Sequence, residues 1–289
     1  MNNKSTRSKI IDLVKINLDI CNISKKMKLS IVIFSIVIYV ITSSLVKVSY
    51  SYNLNLNIWD GVFRTITYSS LILGFYFPYI VIITTFFNTK SDYIKFIMLR
   101  TKEKGIWIVS KILTNVVFVF LLTISFFIIV FVINFFMFKF ENQWSEVILN
   151  KDSIKLTAVL YPNFFVYSLK PLEGFLISFL QIFISSLIIL NLKDLLINYI
   201  KSKNVSYSIM SIYLIMNIII DSYGLHEGIF KINDYIGLGT MSIIFKHKFK
   251  NYNGFTTSLG ISIIISLILL FVILFLNLFF SRKALIEND

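Results

Sequence analysis

The sequence predicts an all-α integral membrane protein with six transmembrane helices. Of its 289 residues, 56% are hydrophobic and only 15% are charged, whereas soluble domains carry about 25% charged residues. The apolar residues lie in unbroken blocks of about twenty, the length that a helix needs to cross a bilayer core of about 30 Å. Because these blocks do not alternate in polarity, they favour helices over strands. The composition excludes a soluble enzyme, a secreted disulfide scaffold and a disordered chain.

Six segments have the length and hydropathy of a transmembrane helix. The predicted spans are 29–46, 66–87, 112–137, 172–190, 205–220 and 255–280. In the second span, Gly74 and Pro78 predict a kink, because proline removes a hydrogen bond of the helix backbone. The third helix is expected to start early. Residues 106–137 would be about 48 Å long, so this helix should either project into the cytoplasm or tilt.

The distribution of basic residues predicts that both termini are cytoplasmic. Eighteen of the 28 Lys and Arg residues lie in one alternating set of connections and ten in the other, which is longer in total. The richer set is 1–28, 88–111, 191–204 and 281–289, and the poorer set is 47–65, 138–171 and 221–254. Basic residues stay on the cytoplasmic side of a membrane. Topology and attraction to anionic inner-leaflet lipid therefore explain the net charge of +13 without a nucleic-acid partner.

The tail 1–28 has the pattern of an amphipathic helix. Its polar face is predicted to hold Asp12, Lys15, Asp19, Asn22 and Lys26, and its apolar face Ile10, Ile11, Val14, Leu18 and Cys21. Such a helix, too short to span, is expected to lie in the cytoplasmic membrane interface. It would either anchor the six-span domain 29–280 or contact a cytoplasmic partner as well. Residues 281–289 form a cytoplasmic tail.

The loop between the second and third spans has the features of a short amphipathic helix. Ser91 is a plausible N-cap, and the residues that would form one apolar face are Tyr93, Ile94, Ile97 and Met98. Basic residues follow at Arg100, Lys102 and Lys104, and Gly105 supplies a break before the next helix. The segment is either a positive-inside hairpin that dips into lipid or a helix that docks into a groove of another protein.

Two outer connections, 138–171 and 221–254, are long for simple hairpins. The second contains the mostly apolar stretch 232–245, which has too few residues and too many glycines to cross a membrane. We expect it to form a re-entrant or interfacial element packed against the helices.

No arrangement of residues indicates catalysis, so we expect that the chain is not an enzyme. Cys21 is the single cysteine, which excludes a disulfide within the chain and a multi-cysteine metal site. His226 and His247 lie in one outer loop without partners at metal-ligand spacing, and both are expected to be solvated. Hydrolase, metalloprotease and phosphate-binding motifs are absent. We therefore predict no metal and no cofactor bound by this chain.

The predicted spans contain few ionisable residues, and their strongest polar side chains are amides. The lack of buried carboxylates argues against a proton-coupled or sodium-coupled carrier, so transport would take its energy from another subunit. The amides are Asn115, Asn134, Gln181, Asn217 and Asn277. They would either join helices by hydrogen bonds or line a substrate path, for which the candidates are Asn115, Asn134, Gln181 and Asn217.

This combination of features resembles the membrane subunit of an ABC-2 type transporter, the permease that works with a separate ABC ATPase. The shared features are an interfacial N-terminal helix, six spans with both ends inside, a basic amphipathic loop after span two and a long outer loop before span six. The stretch Met98-Leu-Arg-Thr-Lys-Glu-Lys-Gly-Ile-Trp-Ile-Val-Ser-Lys111 is similar to the family's usual loop. There, a Ser/Arg-rich turn leads into a third helix with an early basic residue.

The resemblance implies that residues 91–99 are a coupling helix seated in the ATPase, flanked by 100–104. The implied coupling residues are Ser91, Asp92, Tyr93, Ile94, Phe96, Ile97, Met98, Arg100, Lys102, Glu103 and Lys104. It also implies a second permease, identical or homologous, surrounding lipid, and two ATPase subunits that hold ATP and Mg. The complex would lie in a bacterial plasma membrane and export a hydrophobic or amphipathic peptide, lipid or drug, as in lantibiotic immunity. The alternative is a non-ABC membrane scaffold, sensor or channel subunit.

Overall fold

The computed structural model describes residues 6–86, 104–149, 168–200, 202–223, 232–248 and 257–286, and these residues form an all-helical bundle. The helices, in chain order, are α1 (Thr6–Ile20), α2 (Ile23–Ser51), α3 (Ile58–Ile66), α4 (69–86), α5 (Lys104–Met137), α6 (Glu146–Leu149), α7 (Pro171–Ile200), α8 (Lys203–Tyr223), α9 (Asn233–Ile236), α10 (Leu238–Ser242) and α11 (Leu259–Ile286). Pairing of the β type within this part of the chain consists of two isolated bridges, Asn57 with Lys139 and Lys248 with Ser258.

Five of these helices are long and apolar enough to cross a membrane, and the count rises to six if the bent pair α3–α4 is one span. The five are α2, α5, α7, α8 and α11. Helix α7 is the most enclosed, since 61% of its most apolar stretch is buried, against 22% for α8 and 17% for α11. The bundle is therefore built around α7, and α8 and α11 present wide apolar faces to their surroundings.

The N-terminal helix α1 is separated from α2 by a residue in the left-handed conformation, Asn22, with φ 49° and ψ 43°. Asparagine tolerates this conformation better than most residues, and it ends a helix as glycine does. Helix α1 packs on the start of α5, where Leu13 contacts the cluster of Trp107 and Ile108. The break at Asn22 also removes Lys26 from the polar face that an unbroken helix predicts. Lys26 is only 3% exposed, so that part of the prediction is wrong.

The pair α3–α4 bends by 51° between Ile66 and Ser69, which is earlier than the kink predicted at Gly74 and Pro78. Around those two residues the helix widens instead into a π-helical turn, Ile72–Tyr76, and the N–H of Phe77 donates to the carbonyl of Ile72. A proline ring in a regular helix collides with the carbonyl four residues earlier, here that of Gly74. The wider turn accommodates the ring without a sharp kink.

Aromatic side chains fill the contact between α2, α4 and α5. Phe34 and Tyr76 are fully buried together with Phe126, with ring centroids 4.8–5.8 Å apart. The Tyr76 hydroxyl lies 2.9 Å from Thr123 Oγ1, so its polar end is hydrogen-bonded inside the apolar core. Aromatic pairs of this kind contribute about 0.5–1.5 kcal/mol each beyond the area they bury.

The stretch 232–248 packs against the helices, as predicted. It forms α9, α10 and a short 3₁₀ turn, and residues 238–245 are buried. The N–H of Leu238 donates to Asn217 Oδ1 of α8 at 2.9 Å. Lys246 forms an ion pair with Asp221, also of α8, and the N–H of Lys248 donates to the carbonyl of Thr257 at 2.9 Å. These contacts fasten the stretch to α8 and to the start of α11.

Candidate functional site

A cavity of about 300 Å³ lies between α1, α2, α4, α5, α7 and the start of α8, near the start of α5 and the end of α7. We call it the basic pocket. Its charged lining residues are Lys26, Lys111, Lys193, Lys203 and Asp194, and much of the remaining lining is apolar. The described lining therefore contains four lysines and one carboxylate.

Asp194 is the centre of the polar network in the basic pocket. Its Oδ2 atom lies 3.3 Å from Lys111 Nζ and accepts a hydrogen bond from Asn115 Nδ2 at 3.0 Å. Its Oδ1 atom lies 3.6 Å from Lys193 Nζ. Lys193 is enclosed, with 4% of its side chain exposed, whereas 48% of the Lys111 side chain is exposed. A buried charge is tolerated only when partners stabilise it, and the Lys193 ammonium also donates to Thr84 Oγ1 at 2.9 Å.

The sequence analysis missed this network because it ended the fourth span at Leu190 and assigned Lys193 and Asp194 to a loop. The helix continues to Ile200, so both residues lie inside the bundle. The expectation of no buried carboxylate is therefore wrong: Asp194 is enclosed, and Asp60 and Asp221 are buried elsewhere. The apolar residues 195–197 that follow the charged pair were the available signal, since they continue the helical pattern.

The predicted coupling loop lies almost wholly in 87–103, outside the described residues, and Lys104 begins α5. The residues concerned are Ser91, Asp92, Tyr93, Ile94, Phe96, Ile97, Met98, Arg100, Lys102 and Glu103. The helices that hold this connection both reach the basic pocket, since Thr84 of α4 and Trp107 of α5 line it. The end of α4 and the start of α5 therefore both lie beside the pocket.

The four amides predicted to line a substrate path lie at separate places. Asn115 belongs to the basic pocket, and Asn217 binds the backbone of Leu238. Asn134 is fully buried against α3, where a Cβ atom on Gly61 would come within 1.9 Å of its Oδ1 atom. Glycine at this position allows the two helices to approach closely.

The other two amides in the spans also make contacts between elements. Gln181 contacts His247, with their Nε2 atoms 2.6 Å apart. Asn277 of α11 donates to the carbonyl of Asn191 in α7 at 2.7 Å. Gln181 is therefore part of a second polar site, and Asn277 fastens α11 to α7 near the basic pocket.

His247 is fully buried, so the expectation that it is solvated is wrong. The folding of 232–248 against the helices carries it into contact with Gln181 of α7. Burial lowers the pKa of His247 to about 4, and the imidazole is therefore neutral at physiological pH. His226 lies outside the described residues.

A second polar site, which we call the neutral cluster, surrounds this contact on α7. Ser178, Gln181 and Ser185 share one face of the helix, and each has a buried oxygen without a hydrogen bond among the described residues. His247 Nδ1 likewise has no hydrogen bond among the described residues. The cluster offers donors and acceptors but no charge.

No group of three or more potential metal-binding side chains occurs in the described residues. Oxygen, nitrogen and ammonium groups are concentrated instead in the basic pocket and the neutral cluster. The arrangement of ammonium groups in the basic pocket can bind an anion.

The fold and these two sites define an all-helical protein with five candidate membrane-spanning helices. The chain belongs to the family described as "Protein of unknown function (DUF2705)", whose profile matches residues 29–286. That match includes most of α2 and all of α3 to α11. It therefore includes the neutral cluster and the part of the basic pocket that α4, α5, α7 and α8 supply, whereas Cys21 and Lys26 lie before it. No curated protein and no solved structure matches the chain.

Proposed function

We propose that this chain is the permease subunit of an ATP-driven ABC-2 type exporter and works with a separate ABC ATPase in a bacterial plasma membrane. The observation that carries the proposal is the grouping of elements at one end of the bundle. Leu13 of α1 and Leu278 of α11 both pack with Trp107 and Ile108 at the start of α5. Both α1 and α11 therefore pack on the start of α5, the end of the bundle where we propose that an ATPase docks.

The bent pair α3–α4 supports a six-span topology. Its first residues pair with Lys139 beyond the end of α5, and its last turn reaches Lys193 through Thr84, close to the start of α5. The bent pair α3–α4 therefore extends from one end of α5 to the region of its other end, and it is long enough to act as one broken span. With six spans, both termini lie on one side, and the excess of Lys and Arg in the connections on that side makes it cytoplasmic.

The mechanism that we propose is alternating access driven from the cytoplasmic side. ATP binding would bring two ATPase subunits together and move the 91–99 segments of two permeases toward each other. Helix α5 has 34 residues and is about 51 Å long, so it would carry this motion across the membrane. The wide apolar faces of α8 and α11 suit contact with lipid, a second permease and a hydrophobic or amphipathic substrate.

Co-purification from native membranes in mild detergent tests the proposal. We expect an ABC ATPase at about one copy per permease, since each permease would seat one ATPase. The variant Tyr93→Asp/Ile97→Asp should reduce the recovered ATPase about tenfold or more, because charges placed at an interface anchor are costly. Ile232→Asp is the matched control, since it changes an apolar residue that is 58% exposed at the opposite end.

The same experiment distinguishes the alternative function. A folded, monodisperse chain that brings down no ATPase would favour a scaffold, sensor or channel subunit. If the double variant retains the ATPase as well as the wild-type chain does, the exporter proposal stands. The assignment of 91–99 as the docking segment is then wrong.

A further inference from the structure

We infer that the basic pocket binds the phosphate group of an anionic phospholipid. The first argument is charge. Asp194 is shared between Lys111 and Lys193 at 3.3 Å and 3.6 Å, and one carboxylate cannot neutralise two ammonium groups. An enclosed ammonium group that shares its only described carboxylate partner is costly unless a further anion approaches it.

The second argument is the availability of donors. Asn115 and Lys111 approach the same oxygen of Asp194, so the carboxylate is already crowded. The half-exposed Lys111 side chain can turn from Asp194 to a phosphate oxygen at little cost, since ion pairs of solvent-exposed lysines contribute little to stability. Lys193 remains fixed by Thr84 at 2.9 Å and supplies an oriented charge.

The third argument identifies a lipid as the source of the phosphate. The polar groups lie beside an apolar wall that includes Ile20, Ile23, Phe118, Leu190 and Ile197, which suits the glycerol and the first part of an acyl chain. The pocket also lies at the end of the bundle where the Lys and Arg distribution predicts the cytoplasmic leaflet. Basic pockets between helices at that depth bind anionic head groups. The inference does not depend on an ATPase partner.

Cys21 provides a direct assay, because it is the single cysteine and lines the basic pocket. Burial raises the pKa of its thiol, so maleimide labelling should be followed at about pH 8.5, where more thiolate forms. The full-length protein in neutral detergent would be labelled with added phosphatidylglycerol, phosphatidylcholine, glycerol phosphate or inorganic phosphate. At ten times its Kd, phosphatidylglycerol should slow labelling about tenfold, since only the free pocket reacts.

Matched variants connect this protection to the pocket. Lys111→Gln should weaken the apparent affinity for phosphatidylglycerol about fivefold, the effect of one basic residue on an anionic head group. Lys170→Gln makes the same change of charge at an exposed residue near the start of α7 and should leave the affinity unchanged. Lys193→Met should weaken binding further, and the half-exposed Lys111 keeps the test decisive if that variant does not fold.

Three outcomes would overturn the inference. Equal protection by phosphatidylcholine would mean that the acyl chains alone occupy the site. Protection by inorganic phosphate or glycerol phosphate at the same concentration would identify a soluble anion as the ligand. Equal loss of affinity in Lys111→Gln and Lys170→Gln would mean that overall charge, and not the pocket, attracts the lipid.

Discussion

Helix α7 passes through two polar sites that differ in almost every physical respect. Gln181 in the neutral cluster and Lys193 in the basic pocket are twelve residues apart, or about 18 Å along the helix axis. The neutral cluster is fully enclosed and uncharged, whereas the basic pocket is open enough to leave 48% of the Lys111 side chain exposed. This difference agrees with our inference that the basic pocket takes up a ligand, whereas the neutral cluster is closed by packing.

The charged residues near the neutral cluster and those of the basic pocket also differ, in how well their charges are compensated. Beside the neutral cluster, the ion pair between Lys246 and Asp221 joins one cation to one anion and fastens 232–248 to α8. In the basic pocket, Lys111 and Lys193 share Asp194. The Lys246–Asp221 pair compensates its own charges, whereas two ammonium groups that share one carboxylate are not fully compensated by it.

Removal of the Asp194 carboxylate should produce the largest effect on stability. Asp194→Ala leaves Lys193 enclosed without its counter-ion, so we expect the free energy of unfolding to fall by about 3–5 kcal/mol. Denaturant titration of the purified protein in mixed micelles measures this. Asp19→Ala, which removes an exposed carboxylate of α1, should change it by less than about 0.5 kcal/mol.

A double variant separates lost pairing from lost packing in that experiment. Lys193→Met/Asp194→Leu removes the buried charge together with its partner, and we expect it to regain most of the lost stability. If the double variant is as unstable as Asp194→Ala, the charge of Lys193 is not the cause, and the basic pocket differs less from the neutral cluster than we infer.

The neutral cluster should make stability sensitive to acid. The pKa of His247 is about 4 in the folded protein, against about 6.5 when unfolded. As the pH falls through 6.5, the unfolded chain binds a proton that the folded chain rejects. The free energy of unfolding should therefore fall between about pH 6.5 and pH 4 by about 3 kcal/mol in total.

Unfolding midpoints across this pH range measure that effect. His247→Gln keeps a side chain that can hydrogen-bond to Gln181 but does not titrate, so its stability should change much less over the same interval. A wild-type profile as flat as that of the variant would mean that the imidazole is accessible to protons, and hence that the neutral cluster is not closed.

Five of the six predicted spans coincide with helices that are long and apolar enough to cross a membrane, because bilayer thickness fixes the length of an apolar block. The ends of these helices could not be predicted. The apolar block of the fourth span stops before Lys193 and Asp194, because both residues are charged. The helix nevertheless continues, because Lys111, Asn115 and Thr84 of other helices stabilise the two charges. Likewise, the burial of His247 depends on Gln181, which is 66 residues away, and Asn22 interrupts a polar face that reads as continuous. Contacts between distant segments decided the first two cases, and the local left-handed conformation of Asn22 decided the third.

The smallest effect on stability should come from Lys111→Gln. The Lys111 ammonium is half-exposed and lies 3.3 Å from Asp194, so its loss should cost about 1 kcal/mol or less, while Lys193 and Asn115 still hold the carboxylate. Lys246→Gln is the matched change at the other end and should cost more, because the Asp221 side chain is only 8% exposed and would lose its cation. Parallel denaturant titrations compare the two variants. Equal losses would contradict the contrast between the ends of α7, since Lys111 would then be as fixed in place as Lys246 and could not turn toward a phosphate.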